Sequence, residues 1–239
     1  MHSRFWGVAI LGVSFVISSV IFGVFFYQSR MPEKTVRVVG TATKRLDSDV
    51  IKWRVSISRN TGVADLKNGL NAMKSDLAVF VQLLKDKGIV AKDLTVQPVN
   101  INPVYSQYEK SGSPVGYNIL QSVYLISREL DKVESMALNP GFFSEKGITL
   151  QFSSLEYYFS KLGNVKRELL AEATLDARKR GESIARSSGN RIARIESARV
   201  GVFQITEPYS TEVSDYGVYN TASKEKDITV TVNVTFQLK

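Results

Sequence analysis

VIKWRVSISRNTGVADLKNGLNAMKSDLAVFVQLLKDKG, residues 50–88, sets the fold class. Its first nine residues alternate. Val50, Lys52, Arg54, Ser56 and Ser58 fall on one side, and Ile51, Trp53, Val55 and Ile57 on the other. That period of two is a half-solvated strand with one apolar face. The period then changes. Val63, Leu66, Leu70, Met73, Leu77, Phe80 and Leu84 step by three or four, which predicts a helix over about 63–87 with one apolar stripe. Lys87 and Gly88 supply its C-terminal cap. A stripe of that length needs a sheet to cover.

Working outward, strands are predicted at Thr35–Thr41, near 94–106 and 116–127, at Ile148–Tyr158, and over about 196–207 and 225–238. Pro98 and Pro103 cannot donate to a ladder, so the 94–106 strand is an edge strand or is bulged. Helices are predicted from Arg128 to Leu138, ended by Asn139, Pro140 and Gly141, and from about Ser160 to Ser188. The order strand, helix, strand, strand occurs twice. The fold class is therefore α+β, with duplicated βαββ units forming an antiparallel or mixed sheet with long helices. Residues 31–239 make one αβ domain with halves of about 35–127 and 128–239. Phe142 and Phe143 plug the connecting region into the core or touch another subunit, the core being the preferred reading.

Ahead of this domain, Phe5 to Tyr27 carry no charge over 23 positions. At 1.5 Å per residue they make about 34 Å of helix, enough for a hydrocarbon core of roughly 30 Å. Residues 1–30 are thus expected to be an N-terminal transmembrane anchor in contact with lipid through 5–27. Trp6 and Tyr27 would sit at the two membrane interfaces. A cleaved signal peptide is the competing reading, but the run is longer than a usual h-region and no small-x-small site follows it. Charge leaves the orientation open, since Arg4 lies before the segment and Arg30, Lys34, Arg37, Lys44 and Arg45 after it.

The 239 residues carry a formal net charge of +8, no cysteine and one histidine, His2. Thiol nucleophiles, zinc–thiolate centres, iron–sulfur clusters and disulfides are excluded. So are Ser–His and histidine-rich metal sites in the folded domain. No GxxxxGK, GxGxxG or HExxH motif is present. Asp47 and Asp49 stand two apart, and Asp47 suits a turn. No enzymatic activity, cofactor or metal is expected. Residues 161–199 hold ten Lys or Arg against five Asp or Glu. A solvated helix face is the preferred reading, a lipid or partner surface the next, and nucleic acid is not an expected partner.

Tyrosines mark the two long hairpin loops: Tyr105, Tyr108 and Tyr117 in the first, Tyr209, Tyr216 and Tyr219 in the second. Tyrosine offers large, rigid, amphipathic contact area. These six are the candidate contacts of a homo-oligomer. Tyrosines folded against their own sheet are the alternative.

The chain also resembles the SIMPL domain family, domain of unknown function 541. The likeness covers roughly Val36 to Phe236. It is carried by Val36, Val38, Gly40 and Ala42; by Leu84, Lys85, Gly88, Ile89, Lys92, Asp93 and Leu94; by Tyr105, Gly116, Tyr117, Val123, Asp131 and Gly141; and by Ala171, Ala173, Asp176, Ala177, Arg178, Ala185, Gly189 and Glu207. Leu46 before Asp47, and Pro140, Gly141 and Phe142, depart from the family pattern. The resemblance implies an extracytoplasmic bacterial protein with no established catalysis. It is similar to periplasmic or outer-membrane immunogenic proteins, to members associated with envelope or oxidative stress, and to one form that is a large ring-like homo-oligomer. The domain is then expected on the periplasmic side of the cytoplasmic membrane, as a single-pass anchored scaffold. A binding module for an envelope ligand or signalling partner, without large assembly, is the alternative.

Overall fold

A computed structural model describes residues 2–29, 34–89, 94–106 and 112–239; within the first helix, side chains are described over 12–27. The chain runs α1 (His2–Ser29), β1 (Thr35–Asp47), β2 (Val50–Gly62), α2 (Leu66–Asp86), β3 (Leu94–Tyr105), β4 (Pro114–Ser127), α3 (Leu130–Ala137), α4 (Gly141–Ser144), β5 (Thr149–Tyr158), α5 (Leu162–Ser187), β6 (Ile192–Val200), β7 (Gln204–Thr206) and β8 (Glu225–Leu238). A single turn of 3-10 helix, Val63–Asp65, leads into α2.

Among the described residues, eight strands form two four-stranded sheets. One has the order β3-β4-β2-β5, the other β1-β8-β6 with β7 also paired to β8. The expected order strand, helix, strand, strand holds for β2, α2, β3 and β4, but the second series runs β5, α5, β6, β7 and β8, and sheet membership does not follow the expected halves either. β5, which opens the second series, pairs antiparallel with β2 of the first. β1, which precedes both, pairs with β8. The sheets therefore draw strands from both sides of residue 127. By packing, the chain divides into two units, one of Met1–Gly40, Thr174–Arg199 and Val232–Lys239, the other of Thr41–Ala173 and Val200–Thr231.

In the second unit, the apolar face of β2 does what its alternation predicts. Ile51, Trp53, Val55 and Ile57 are buried, with Ile119, Val123 and Leu125 beside them on β4. Met73, Phe80 and Leu84 of α2 lie over this face, with Val133 and Met136 of α3 and Phe143 of α4. Trp53, Phe80 and Phe143 meet as three rings with centroids 5.6–5.8 Å apart. Phe143 is fully buried and Phe142 is 39% exposed, so one ring of the pair belongs to the core. The Trp53 indole donates to Ser153 Oγ at 2.9 Å, satisfying the polar atom that its burial takes from water.

β3 is both an edge strand and bulged. Its register with β4 shifts between Val96 and Val99, around Pro98, and the Gln121 amide donates across to the Gln97 carbonyl at 3.2 Å. In the first unit α5 meets its sheet through small residues. A Cβ on Gly181 would stand 3.2 Å from the Phe236 ring, and Ala177 and Ala185, one turn either side, are buried too.

The expected membrane span lies within α1, which is helical over all of Phe5–Tyr27. Among the described residues, however, no helix is long and apolar enough to cross a membrane. In α1, side chains are described over 12–27. Every one of them is exposed, including Phe15, Phe22 and Phe25 at 70% or more.

Candidate functional site

The second hairpin loop, residues 207–224, joins β7 and β8. Three side chains fix it. The Gln204 amide donates to the Ser214 carbonyl at 2.7 Å, and its Oε1 accepts from the Val218 amide at 2.8 Å. Asn220 Oδ1 accepts from the backbone of Ala222 and Ser223, while its amide donates to Glu207 at 2.6 Å. Lys226, buried at the start of β8, donates to the carbonyls of Asn220 and Ser223 at 2.7 and 2.6 Å. Burial pushes the Lys226 ammonium down to about 8. Through these two bonds the lysine works as a donor to the loop backbone.

Around that frame the tyrosines take different roles. Tyr216 is 97% exposed and projects from the loop. Tyr209 is also exposed, at a left-handed φ of 62° that is uncommon for a non-glycine residue. The Arg45 guanidinium lies 4.4 Å from its ring centroid. Arg45 also makes a two-pronged pair with Asp227 at 2.8 and 2.9 Å. That hydrogen bond raises the Arg45 pKa and lowers that of Asp227. Tyr219 leans on Tyr158 of β5, with ring centroids 6.4 Å apart. In the first hairpin Tyr105 is 58% exposed and Tyr117 is half-buried opposite Thr61. Tyr108 lies outside the described residues, as does the side chain of Trp6; Tyr27 is exposed near the end of α1. Beside the second loop, Val200, Val202, Val213, Gln204 and Thr231 line a groove of about 510 Å³.

A second polar cluster ties the loop's end to the other sheet. Lys224 reaches Asp131 at 2.8 Å and Glu134 at 3.4 Å, and the Tyr157 hydroxyl donates to Glu134 at 2.8 Å. Desolvation, then the Glu134 bond, pushes the Tyr157 phenol up to about 12. Asp49 accepts from the backbone and hydroxyl of Ser160, and these bonds outweigh burial to hold its carboxyl below the usual range. Asp49 is thus a bracing residue between β2 and the turn before α5. Among the described residues no group of His, Asp or Glu is arranged to hold a metal ion.

Sequence reasoning missed Gln204, Asn220 and Lys226. Lys226 did carry a signal, because it stands in phase with Ile228, Val230, Val232, Val234 and Phe236, the buried side of β8. A lysine on the apolar phase of a strand needs an internal acceptor.

No curated protein matches the chain. The family described as SIMPL, protein of unknown function (DUF541), matches residues 36–236, which takes in both sheets and every helix after α1. The chain therefore belongs to the SIMPL family.

Proposed function

We propose that this protein is a non-enzymatic scaffold, anchored in the cytoplasmic membrane of a bacterium by α1, whose αβ domain self-assembles outside the cytoplasm and serves the envelope under stress. The observation that carries the anchor is α1 itself. It is a 28-residue helix with apolar side chains exposed on all sides over 12–27. A helix that is hydrophobic all round is stable only when something apolar surrounds it. Lipid fits, and Tyr27 stands where an interfacial ring would.

Self-assembly is supported by the second hairpin loop. Its backbone is held by Gln204, Asn220 and Lys226, yet it presents Tyr216 and Val213 almost wholly to solvent, at 97% and 78%. A rigid loop with an aromatic tip loses little entropy on docking. Tyr216 does not line the groove beside the loop, although Val213 does, and a ring needs a projecting and a receiving surface on each subunit. The test is the mass of the detergent-solubilised particle. Assembly predicts a defined multiple of 26.6 kDa that falls when Tyr216 is replaced by Ser. A single-chain particle across all concentrations would overturn it.

A further inference from the structure

The net charge is not spread over the chain. The unit that contains α1 holds 12 Lys or Arg against 4 Asp or Glu, and the other unit holds 19 of each. The whole surplus of +8 therefore belongs to the unit that continues the anchor.

Within that unit five of the basic residues, Lys34, Arg178, Arg186, Arg191 and Lys239, share one end of the sheet. Lys34 is five residues beyond Ser29, the end of α1, so the two stand within about 18 Å of each other whatever path the chain takes. The Lys34 carbonyl accepts from the Leu238 amide at 2.7 Å. Arg191 and Lys239 exchange backbone hydrogen bonds at 2.8 and 2.9 Å. Lys34, Arg191 and Lys239 thus share the sheet end that the anchor feeds. A cleft of about 370 Å³ opens there, lined by Arg178, Glu182, Arg186, Arg191, Ile192 and Lys239. Its one acidic side chain, Glu182, is taken by Arg178 at 3.0 Å. Arg186 turns its Nε to the Glu182 carbonyl at 3.3 Å, leaving its terminal nitrogens for another acceptor.

We infer that this basic end is a seat for the phosphate headgroups of anionic lipids in the leaflet from which α1 emerges. Guanidinium forks match phosphate oxygens in pairs. Lys and Arg held near an anionic surface are attracted within about a Debye length of it. The tether of α1 leaves Lys34 no more than about 18 Å from the helix end, under two Debye lengths at 0.1 M salt, so a small settling of the domain brings these residues into range. The inference rests on the anchor reading, and it adds that the αβ body lies against the membrane instead of standing off on a free linker.

The chain has no cysteine, so Ala193→Cys on β6 gives a unique site for a fluorescent donor. The full chain is placed in lipid nanodiscs that contain an acceptor-labelled headgroup. One set of discs is all phosphatidylcholine and the other is one-third phosphatidylglycerol. Energy transfer at least twofold higher in the anionic discs is expected, with the difference collapsing in 1 M salt. Replacing Arg186, Arg191 and Lys239 by Gln should remove it. Equal transfer in the two discs, with the chain inserted in both, overturns the inference alone. A chain that enters neither disc overturns the anchor and the inference with it. Inorganic phosphate that reduces the difference by competition supports the headgroup seat. Phosphate that raises transfer in neutral discs to the anionic level makes the ligand a free anion and overturns the headgroup assignment.

Discussion

Asp76→Asn tests how the first sheet holds its long helix. Asp76 is on the inner face of α2, only 7% exposed, and faces Arg59 of β2 through two hydrogen bonds of 2.7 Å. The Asp76 bond raises the Arg59 pKa. Asparagine keeps the shape but removes the charge and turns amide hydrogens towards guanidinium hydrogens. Unit charges about 4 Å apart attract by about 4 kcal/mol at an effective dielectric of 20. The Arg59 side chain is 34% exposed, so water recovers part of this once the pair is broken. A loss of about 2 kcal/mol remains, which is roughly a thirtyfold rise in the unfolding constant. Urea titration of the detergent-solubilised protein, followed by near-ultraviolet circular dichroism, measures it. The variant Arg59→Met with Asp76→Leu should return to within about 1 kcal/mol of the parent, since an apolar pair needs no desolvation. Asp76→Asn within about 0.5 kcal/mol of the parent, or a double variant as weak as the single one, would refute the reasoning.

Three further outcomes are expected. Gly116→Ala places a Cβ 2.6 Å from the Thr61 carbonyl oxygen, a backbone atom that cannot rotate away, and should cost about 3 kcal/mol in the same titration. Lys226 is charged in both states below pH 8 and bears a constant burial penalty there; between pH 8 and 9.5 the native state sheds its proton first, so stability rises with pH. Urea midpoints at pH 7.5 and 9.5 should show that rise in the parent and lose it in Lys226→Met. Gln204→Ala removes two clamps on the second hairpin loop, so proteolytic nicking within 207–224 should accelerate while the global urea midpoint moves by less than about 1 kcal/mol.

Elements with strong periodicity were legible within a few residues. The 50–88 stretch resolves into β2 and α2 because its period changes once and sharply. The proline-marked strand came out as a bulged edge for the reason its residues give: a missing donor. Two features were not legible. α4 is only four residues, Gly141–Ser144, and too short to leave a periodic trace. The predicted strand at 196–207 is two strands, β6 and β7, parted at Gly201–Phe203, and β6 starts earlier, at Ile192. Sheet membership was hidden for a deeper reason. Alternation reports that a strand has an apolar side but not which strand lies next to it, so the pairing of β5 with β2 and of β1 with β8 had no local signature. The candidate loop was found through its tyrosines, while the residues that shape it were missed because Gln204 and Asn220 act through backbone contacts.

The partnership of β1 with β8 has a consequence for biogenesis. Thr43 and Thr229, hydrogen-bonded at 2.9 Å, are separated by 186 positions along the chain. At 5–20 residues per second a ribosome needs roughly 10–40 s to cover that gap. Throughout that interval β1 has been made but its sheet neighbour has not, and it waits as a bare strand. A holdase that shields extended apolar segments would meet its client here first. Release would come only when the last strand arrives to claim its place.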